Sequence, residues 1–210
     1  MIIKNLLFRL ALPILGFFLM VLGGCAHTDP ARFYILHALS NSETERQVMV
    51  TEHDVSIVIG PVELQKYLDR PQIVTRLSSH ELKISEFDQW AESLENNISR
   101  VLAENISILL SNDDVFVYPW KRSERIEYQV IMEVIRFDGT LGGDVVLDTH
   151  WAIITGDEGK MVLIKKSSYS RPTGGEDYQA LVAAKSQALA DLSRDIARAL
   201  NSITKEVTNP

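Results

Sequence analysis

The sequence is poor in cysteine, because Cys25 is the single cysteine among 210 residues. A disulfide within the chain would need two cysteines, so the fold must be held by its core and its hydrogen bonds. A lone cysteine is usually a small buried side chain. Cys25, however, directly follows Gly23 and Gly24 at the end of an apolar run. This position favours a chemical role for its sulfur over a packing role.

The chain also lacks a hydrophobic run at its start that is long enough to cross a membrane. The apolar stretch Leu10–Leu22 follows Lys4 and Arg9, and it is shorter than the ~20 apolar residues of a membrane-spanning helix. Positive charge, a short apolar stretch and small residues are the layout of a secretion signal. We therefore predict that residues 1–24 form a signal peptide rather than a transmembrane anchor.

Basic residues are in the minority, with 21 Lys and Arg against 28 Asp and Glu and a formal charge of −7. A nucleic-acid partner is not expected, because such proteins carry a basic patch. Acidity also argues against broad adhesion to anionic lipid. We interpret the basic pairs Lys121-Arg122 and Lys165-Lys166 as solvated turns or strand ends.

Motifs for catalysis or metal binding are absent from the sequence. The five histidines stand far apart, and there is no G-x-S-x-G, no phosphate-binding loop and no dinucleotide fingerprint. Asp113-Asp114 is interpreted as a solvated pair between a helix and a strand. The sequence therefore predicts no catalytic residue, no metal site and no cofactor, although a site assembled in space would leave an enzyme as an alternative.

The hydrophobic pattern predicts an α+β domain. A three-and-four spacing from Leu94 to Leu109 and another from about Tyr178 to Ile203 indicate two amphipathic helices. Apolar alternation and turn clusters predict strands before, between and around them, the last three forming an antiparallel meander. We expect one mostly antiparallel or mixed sheet, with both long helices packed on one face. The predicted strands are 55–59 (ended by Gly60-Pro61), 72–77, 81–84, 115–118, 128–137 (ended by Asp138-Gly139), 145–154 and 161–170.

The predicted division of the chain has four parts. Residues 1–24 are the signal peptide, 25–32 a short tether, 33–204 the folded domain and 205–210 a C-terminal tail. Because only seven residues separate Cys25 from Phe33, the folded domain should lie within roughly 25 to 30 Å of the membrane.

The segment from Gly60 to Arg76 holds two prolines and a glycine that restrict its backbone. Tyr67 and Arg70 within it are residue types favoured at protein interfaces. A structural connector, with Tyr67 packed and Arg70 paired to Asp69 or another acid, is the alternative that residue chemistry alone prefers.

Two resemblances sharpen these expectations. Leu22-Gly23-Gly24-Cys25 resembles the bacterial lipobox, which implies a lipid on the sulfur, cleavage before Cys25 and acylation of the new amino terminus. The residue after Cys25 is Ala26 rather than aspartate, which under the sorting rule of enteric bacteria favours the outer membrane.

The run Tyr67-Leu68-Asp69-Arg70-Pro71-Gln72 resembles the ABC-type transport auxiliary lipoprotein family, which is that of paraquat-inducible protein C. Phe33-Tyr34-Ile35-Leu36, Trp90-Ala91-Glu92 and Arg136-Phe137-Asp138-Gly139 are similar to the family as well. The resemblance implies a non-enzymatic subunit of an intermembrane lipid transport system, with a scaffold lipoprotein that stabilises the envelope as the alternative.

As partners, the resemblance implies an inner-membrane-anchored protein with mammalian-cell-entry domains, and a second copy of this chain is also considered. The family resemblance favours a partner-binding role for the segment from Gly60 to Arg76 over the role of a structural connector. The residues predicted to bind the partner are Tyr67, Leu68, Asp69, Arg70 and Gln72.

Overall fold

The structure is a computed structural model that describes residues 29–40, 55–120, 125–156 and 158–208. The chain divides into two compact units, Met1–Pro30 and Ala31–Pro210, and the fold below is that of the second. The predicted signal peptide, Cys25 and Lys121-Arg122 lie outside the described residues.

Eight strands and two helices form the described part of the second unit. The helices are α1 (Leu94–Leu110) and α2 (Tyr178–Thr208). The strands are β1 (Arg32–Tyr34), β2 (Ile57–Leu64), β3 (Gln72–Arg76), β4 (Leu82–Trp90), β5 (Val115–Val117), β6 (Tyr128–Gly139), β7 (Asp144–Thr155) and β8 (Met161–Pro172).

The α+β class is confirmed, but the prediction of a single sheet is wrong. The strands form a five-stranded sheet in the order β5-β2-β6-β7-β8 and a three-stranded sheet in the order β1-β4-β3. Strand β2 pairs in parallel with β5 on one side and with β6 on the other. Both hydrogen-bonding edges of β2 are therefore occupied, and the β3–β4 hairpin forms its own sheet with β1. The predicted meander of β6, β7 and β8 is antiparallel.

The core lies between the five-stranded sheet and the two helices. Helix α1 packs on β2 and β5, whereas α2 packs on β7 and β8. Both predicted helical stripes are inward-facing, and Ile98, Leu102 and Leu192 are fully buried. Alternate residues of β6 and β7, such as Val130 and Ile153, join the same core. Removing this apolar surface from water contributes about 25 cal/mol per Å² to stability.

The ends of α1 follow from local sequence. The Ser93 hydroxyl caps the amino end by accepting a hydrogen bond from the Asn96 amide at 3.2 Å. At the other end, Ser111 takes a left-handed conformation with φ 49°, which turns the chain out of the helix. Within the described residues, neither helix combines the length and the apolar character that a bilayer crossing requires.

Three local predictions need correction. Gly60-Pro61 does not end β2, because the strand continues to Leu64 through a register shift at which Gly60 has φ 108°. Asp138-Gly139 is not a turn, because both residues pair with β7. A Cβ at residue 139 would lie 2.8 Å from the Val145 Cα, so the close approach of β7 requires glycine. Lys165-Lys166 lies in the middle of β8 rather than at its end.

Candidate functional site

The predicted binding segment forms a tight loop between β2 and β3. The amides of Leu68 and Asp69 both donate to the Gln65 carbonyl, at 2.8 and 3.3 Å. The loop is fixed where it leaves β2, because the Gln65 amide donates to the Val134 carbonyl at 3.4 Å. It is fixed again at its exit, where the Trp90 amide donates to the Pro71 carbonyl at 2.7 Å. The loop is thus anchored to both sheets.

Tyr67 points from this loop into the protein. Its hydroxyl donates to Asp138 Oδ2 at 2.9 Å, and its half-buried ring packs against the core. Burial and the neighbouring carboxylate of Asp138 raise the pKa of Tyr67 to about 12. Tyr67 therefore remains a neutral hydrogen-bond donor at physiological pH.

Asp138 is the centre of a buried charge cluster. Arg76 donates to both of its oxygens, at 2.8 and 2.7 Å, and Arg136 donates to Oδ1 at 2.9 Å. Burial works to raise the pKa of this carboxyl, but the hydrogen bonds from Arg76, Arg136 and Tyr67 outweigh burial and lower it to about 2. The carboxylate is therefore ionised and fully hydrogen-bonded, as a buried charge must be.

Lys185 of α2 extends this cluster to the helix layer. Its side chain is buried, its Nζ donates to the Phe137 carbonyl, and it lies 4.4 Å from the Phe137 ring centre and 5.5 Å from that of Trp90. Burial lowers the pKa of Lys185 to about 7, although the nearby Asp138 acts in the opposite direction. The cluster connects β3, β4, β6, α2 and the loop.

The structure places the five predicted binding residues in different environments. Leu68 is 3% exposed and belongs to the core, whereas Gln72 begins β3 and is paired with Gln89 of β4. Asp69 is exposed. The Arg70 Nε is buried without a hydrogen-bond partner, and within the described residues the guanidinium has no ion pair. The structural connector predicted from the sequence would pair Arg70 with Asp69 or another acid. No such ion pair is formed among the described residues.

The segment that follows β1 is attached to both helices. The Leu36 and Leu39 amides each donate at 2.7 Å, to Asn97 Oδ1 and Asn105 Oδ1 respectively. The amide of His37 between them donates to Ser186 Oγ of α2 at 3.2 Å. Because both leucine side chains are also buried, the chain that leads from the predicted lipid site is fixed on the core.

Sequence reasoning did not find the Asp138 cluster or the two asparagines. Lys185 stands four residues after Leu181 and three before Ala188, so it interrupts an apolar helical stripe with a charge. Asn105 likewise stands seven residues after Ile98 on the buried face of α1. A polar residue at such a position was a usable signal, because buried polar groups require partners.

Comparison with known proteins places the chain in a family. Residues 37–197 match the family model of the ABC-type transport auxiliary lipoprotein component. The chain belongs to this family. No curated protein matches the sequence.

Solved structures support the fold of this auxiliary lipoprotein. A crystal structure of a protein from Xanthomonas campestris is similar with a TM-score of 0.68 and 16% identity, over 85% of this chain and 98% of that one. A crystal structure of an uncharacterized protein is similar with a TM-score of 0.67 and 19% identity, over 82% and 99%. At these identities the likeness shows the fold alone.

Family membership carries two coarse statements about the auxiliary lipoprotein. It indicates a membrane-anchored location in the cell envelope and an association with a transport system. Cys25 precedes the matched residues and lies outside the described ones, so its lipidation stays a prediction.

Proposed function

We propose that the chain is a non-enzymatic lipoprotein of the outer membrane that serves an intermembrane lipid transport system and maintains membrane integrity. Its partner is an inner-membrane-anchored protein with mammalian-cell-entry domains, which meets the loop between β2 and β3. Membership of a transport auxiliary family supports the transport role. Ala26 after the predicted lipidated cysteine supports the outer membrane.

The observation that supports docking is that Arg70 Nε is buried and has no hydrogen-bond partner among the described residues. A buried donor without a partner costs free energy, and the planar guanidinium fork suits a carboxylate or a carbonyl-rich surface. The loop that carries Arg70 is held by hydrogen bonds to β6 and β4. An ordered loop loses less conformational entropy on binding. Arg70 and the exposed Asp69 are therefore the contacts, and Tyr67 orients the loop through Asp138.

Replacing Arg70 tests this proposal in the full-length lipidated protein. Arg70→Ala is expected to fold and to become lipidated, yet to lose co-purification with the mammalian-cell-entry protein from crosslinked cells. Arg70→Lys keeps the charge without the fork and is expected to retain only part of the binding. Arg100→Ala is the matched control, because Arg100 lies on α1 and, among the residues that the structure describes, its ion pairs are with Glu92 and Glu104 near the surface.

The outcomes distinguish the alternatives. If Arg70→Ala assembles normally and restores the barrier in cells, docking through this loop is wrong, and a scaffold lipoprotein without a partner becomes the better account. The mass of the lipoprotein in detergent measures association between copies of this chain. If Arg70→Ala reduces this mass, the loop binds a second copy.

A further inference from the structure

The five-stranded sheet ends in a long strand whose outer edge is unpaired within the described residues. Strand β8 pairs along its whole length with β7, and no other described strand lies beside it. Such an edge presents a row of backbone donors and acceptors, which is a template for an added strand. The other edge strand of this sheet, β5, has only three residues.

This edge is also basic in an acidic protein. From Lys160 to Pro172 the chain carries three lysines and one arginine and no acidic residue. Arg171 is bound by Asp191 of α2, with its Nε 2.6 Å from Oδ2. Lys165 lies 5.8 Å from the Trp151 ring centre, whereas Lys166 has no ion pair within the described residues. Positive charge therefore remains available along the edge.

Apolar side chains are exposed next to these lysines. Ile164 is 65% exposed and Met161 is 54% exposed. Together with Ile131 and Ala152 they line a shallow cavity of about 240 Å³ on the face of the sheet that the helices leave open. Register places Ile164 beside Ala152 and Lys166 beside His150, so Ile164 and Lys166 lie on the same face.

We propose that the edge of β8 is a second interaction surface, which binds an extended acidic segment of a partner protein as an added strand. A strand running parallel to β8 would place an apolar residue next to Ile164 and, two residues further along, an acidic residue next to Lys166. The residue between these two lies on the other face, towards Lys165. The recognised pattern is thus one apolar residue followed by two acidic residues.

Two other occupants are disfavoured by the same features. If β8 of a second copy of this chain paired with the edge, it would bring its own lysines there, and like charges on neighbouring strands repel. An anionic membrane would satisfy the lysines, but it would leave the backbone donors and acceptors of the edge without partners. An acidic strand satisfies both the charges and the backbone.

The test uses the full-length lipidated protein in non-ionic detergent and short synthetic peptides. The probe has Val-Glu-Glu at its centre and threonine elsewhere. A matched peptide carries Val-Lys-Lys, and another carries the acidic sequence with methylated backbone nitrogens. The acidic probe is expected to bind and to slow hydrogen exchange of the β8 amides, whereas the other two bind about tenfold more weakly or not at all.

Variants of the edge complete the experiment. Lys166→Glu and Ile164→Asn are expected to weaken binding of the acidic probe about tenfold, with melting temperatures near that of the parent protein. Lys83→Glu makes the same charge change on the exposed part of β4 and is expected to leave binding unchanged.

Several results would overturn the proposal. These are equal binding of the acidic and basic peptides, protection of amides elsewhere than β8, or no effect of the two variants. If the protein self-associates and Lys166→Glu abolishes this, the edge binds a second copy instead. If the protein sediments with anionic vesicles and Lys166→Glu abolishes this, the edge binds a membrane instead. None of these readouts involves the loop between β2 and β3, so this test and that of Arg70 can fail separately.

Discussion

The guanidinium of Arg76 holds the carboxylate of Asp138 with two hydrogen bonds of 2.8 and 2.7 Å. Arg76 ends β3 of the small sheet and Asp138 lies near the end of β6 in the large one. This ion pair therefore joins the two sheets, and its Asp138 carboxylate is fully buried.

Removing the carboxylate is expected to destabilise the protein strongly. Asp138→Ala leaves two arginines beside an apolar site, and breaking a buried ion pair typically costs about 3 to 5 kcal/mol. The measurement is the free energy of unfolding in urea. Asp69→Ala, at an exposed position of the loop, is the control and should change this free energy by less than about 0.5 kcal/mol.

Tyr67→Phe isolates the hydrogen bond from the packing of the ring. The variant loses the donor to Asp138 but keeps the aromatic contact, so we expect a loss of about 1.5 to 3 kcal/mol, which is typical of a hydrogen bond to a charged group. Unfolding in urea measures the loss. When Asp138 is already replaced by alanine, Tyr67→Phe should cost much less stability. An equal cost in the parent protein and in Asp138→Ala would show that Tyr67 and Asp138 do not interact.

Stability is expected to rise with pH in two separate ranges, one set by Asp138 and one by Lys185. The folded-state pKa of Asp138 is about 2, below its usual 3.8, so its contribution is complete above pH 4 and disappears as pH falls towards 2. The folded-state pKa of Lys185 is about 7, below its usual 10.5. The unfolded chain therefore binds more protons between these values, and raising the pH from 7 towards 10 adds stability.

Lys185→Met tests the second contribution. The variant removes the titrating amine, so its stability relative to the parent protein should be greatest near pH 6 and should decline as pH rises to about 9.5. Thermal melts at matched ionic strength measure the difference. A pH-independent difference between the two proteins would show that Lys185 keeps its usual pKa.

Cys25→Ser tests the lipid anchor. Serine cannot form the thioether, so the precursor is expected to remain unprocessed or to leave the membrane fraction. Metabolic labelling with palmitate and fractionation of the envelope measure both properties. Processing before residue 25 together with retention in the outer membrane would contradict the anchor.

The domain without its anchor should unfold in one step. Residues 32–204 are expected to form a soluble cooperative unit, and α2 continues past this limit to Thr208. Leu192→Ala removes a fully buried side chain and should cost about 2 to 5 kcal/mol. Two separate transitions in calorimetry would contradict a single cooperative domain.

The elements with a strong local period could be predicted from the sequence, whereas their long-range pairing could not. The stripe from Leu94 to Leu109 places α1 because helical periodicity depends on residues within one or two turns. The separation into two sheets depends on which strands occupy the edges of β2, which adjacent residues do not encode. The pair of Arg76 with Asp138 likewise joins residues 62 positions apart.

The candidate site shows the same division. Tyr67 and Arg70 could be selected from residue type, and the structure separates them because only Tyr67 reaches Asp138. The sequence predicts Asp138 as a turn residue, since aspartate before glycine is common in turns. Its burial depends on three donors supplied by β3, β6 and the loop, and none of these contacts leaves a periodic signal.

The attachment of Leu36 and Leu39 to the asparagines of α1 has a mechanical consequence. A pull on the membrane anchor would reach these two backbone hydrogen bonds and the buried leucines together. Both bonds end on α1, on asparagines eight residues apart, so a pull that had detached β1 would next be opposed by this buried helix. If Cys25 carries the predicted lipid, the three-residue strand β1 is therefore not the last contact that holds the tether to the core.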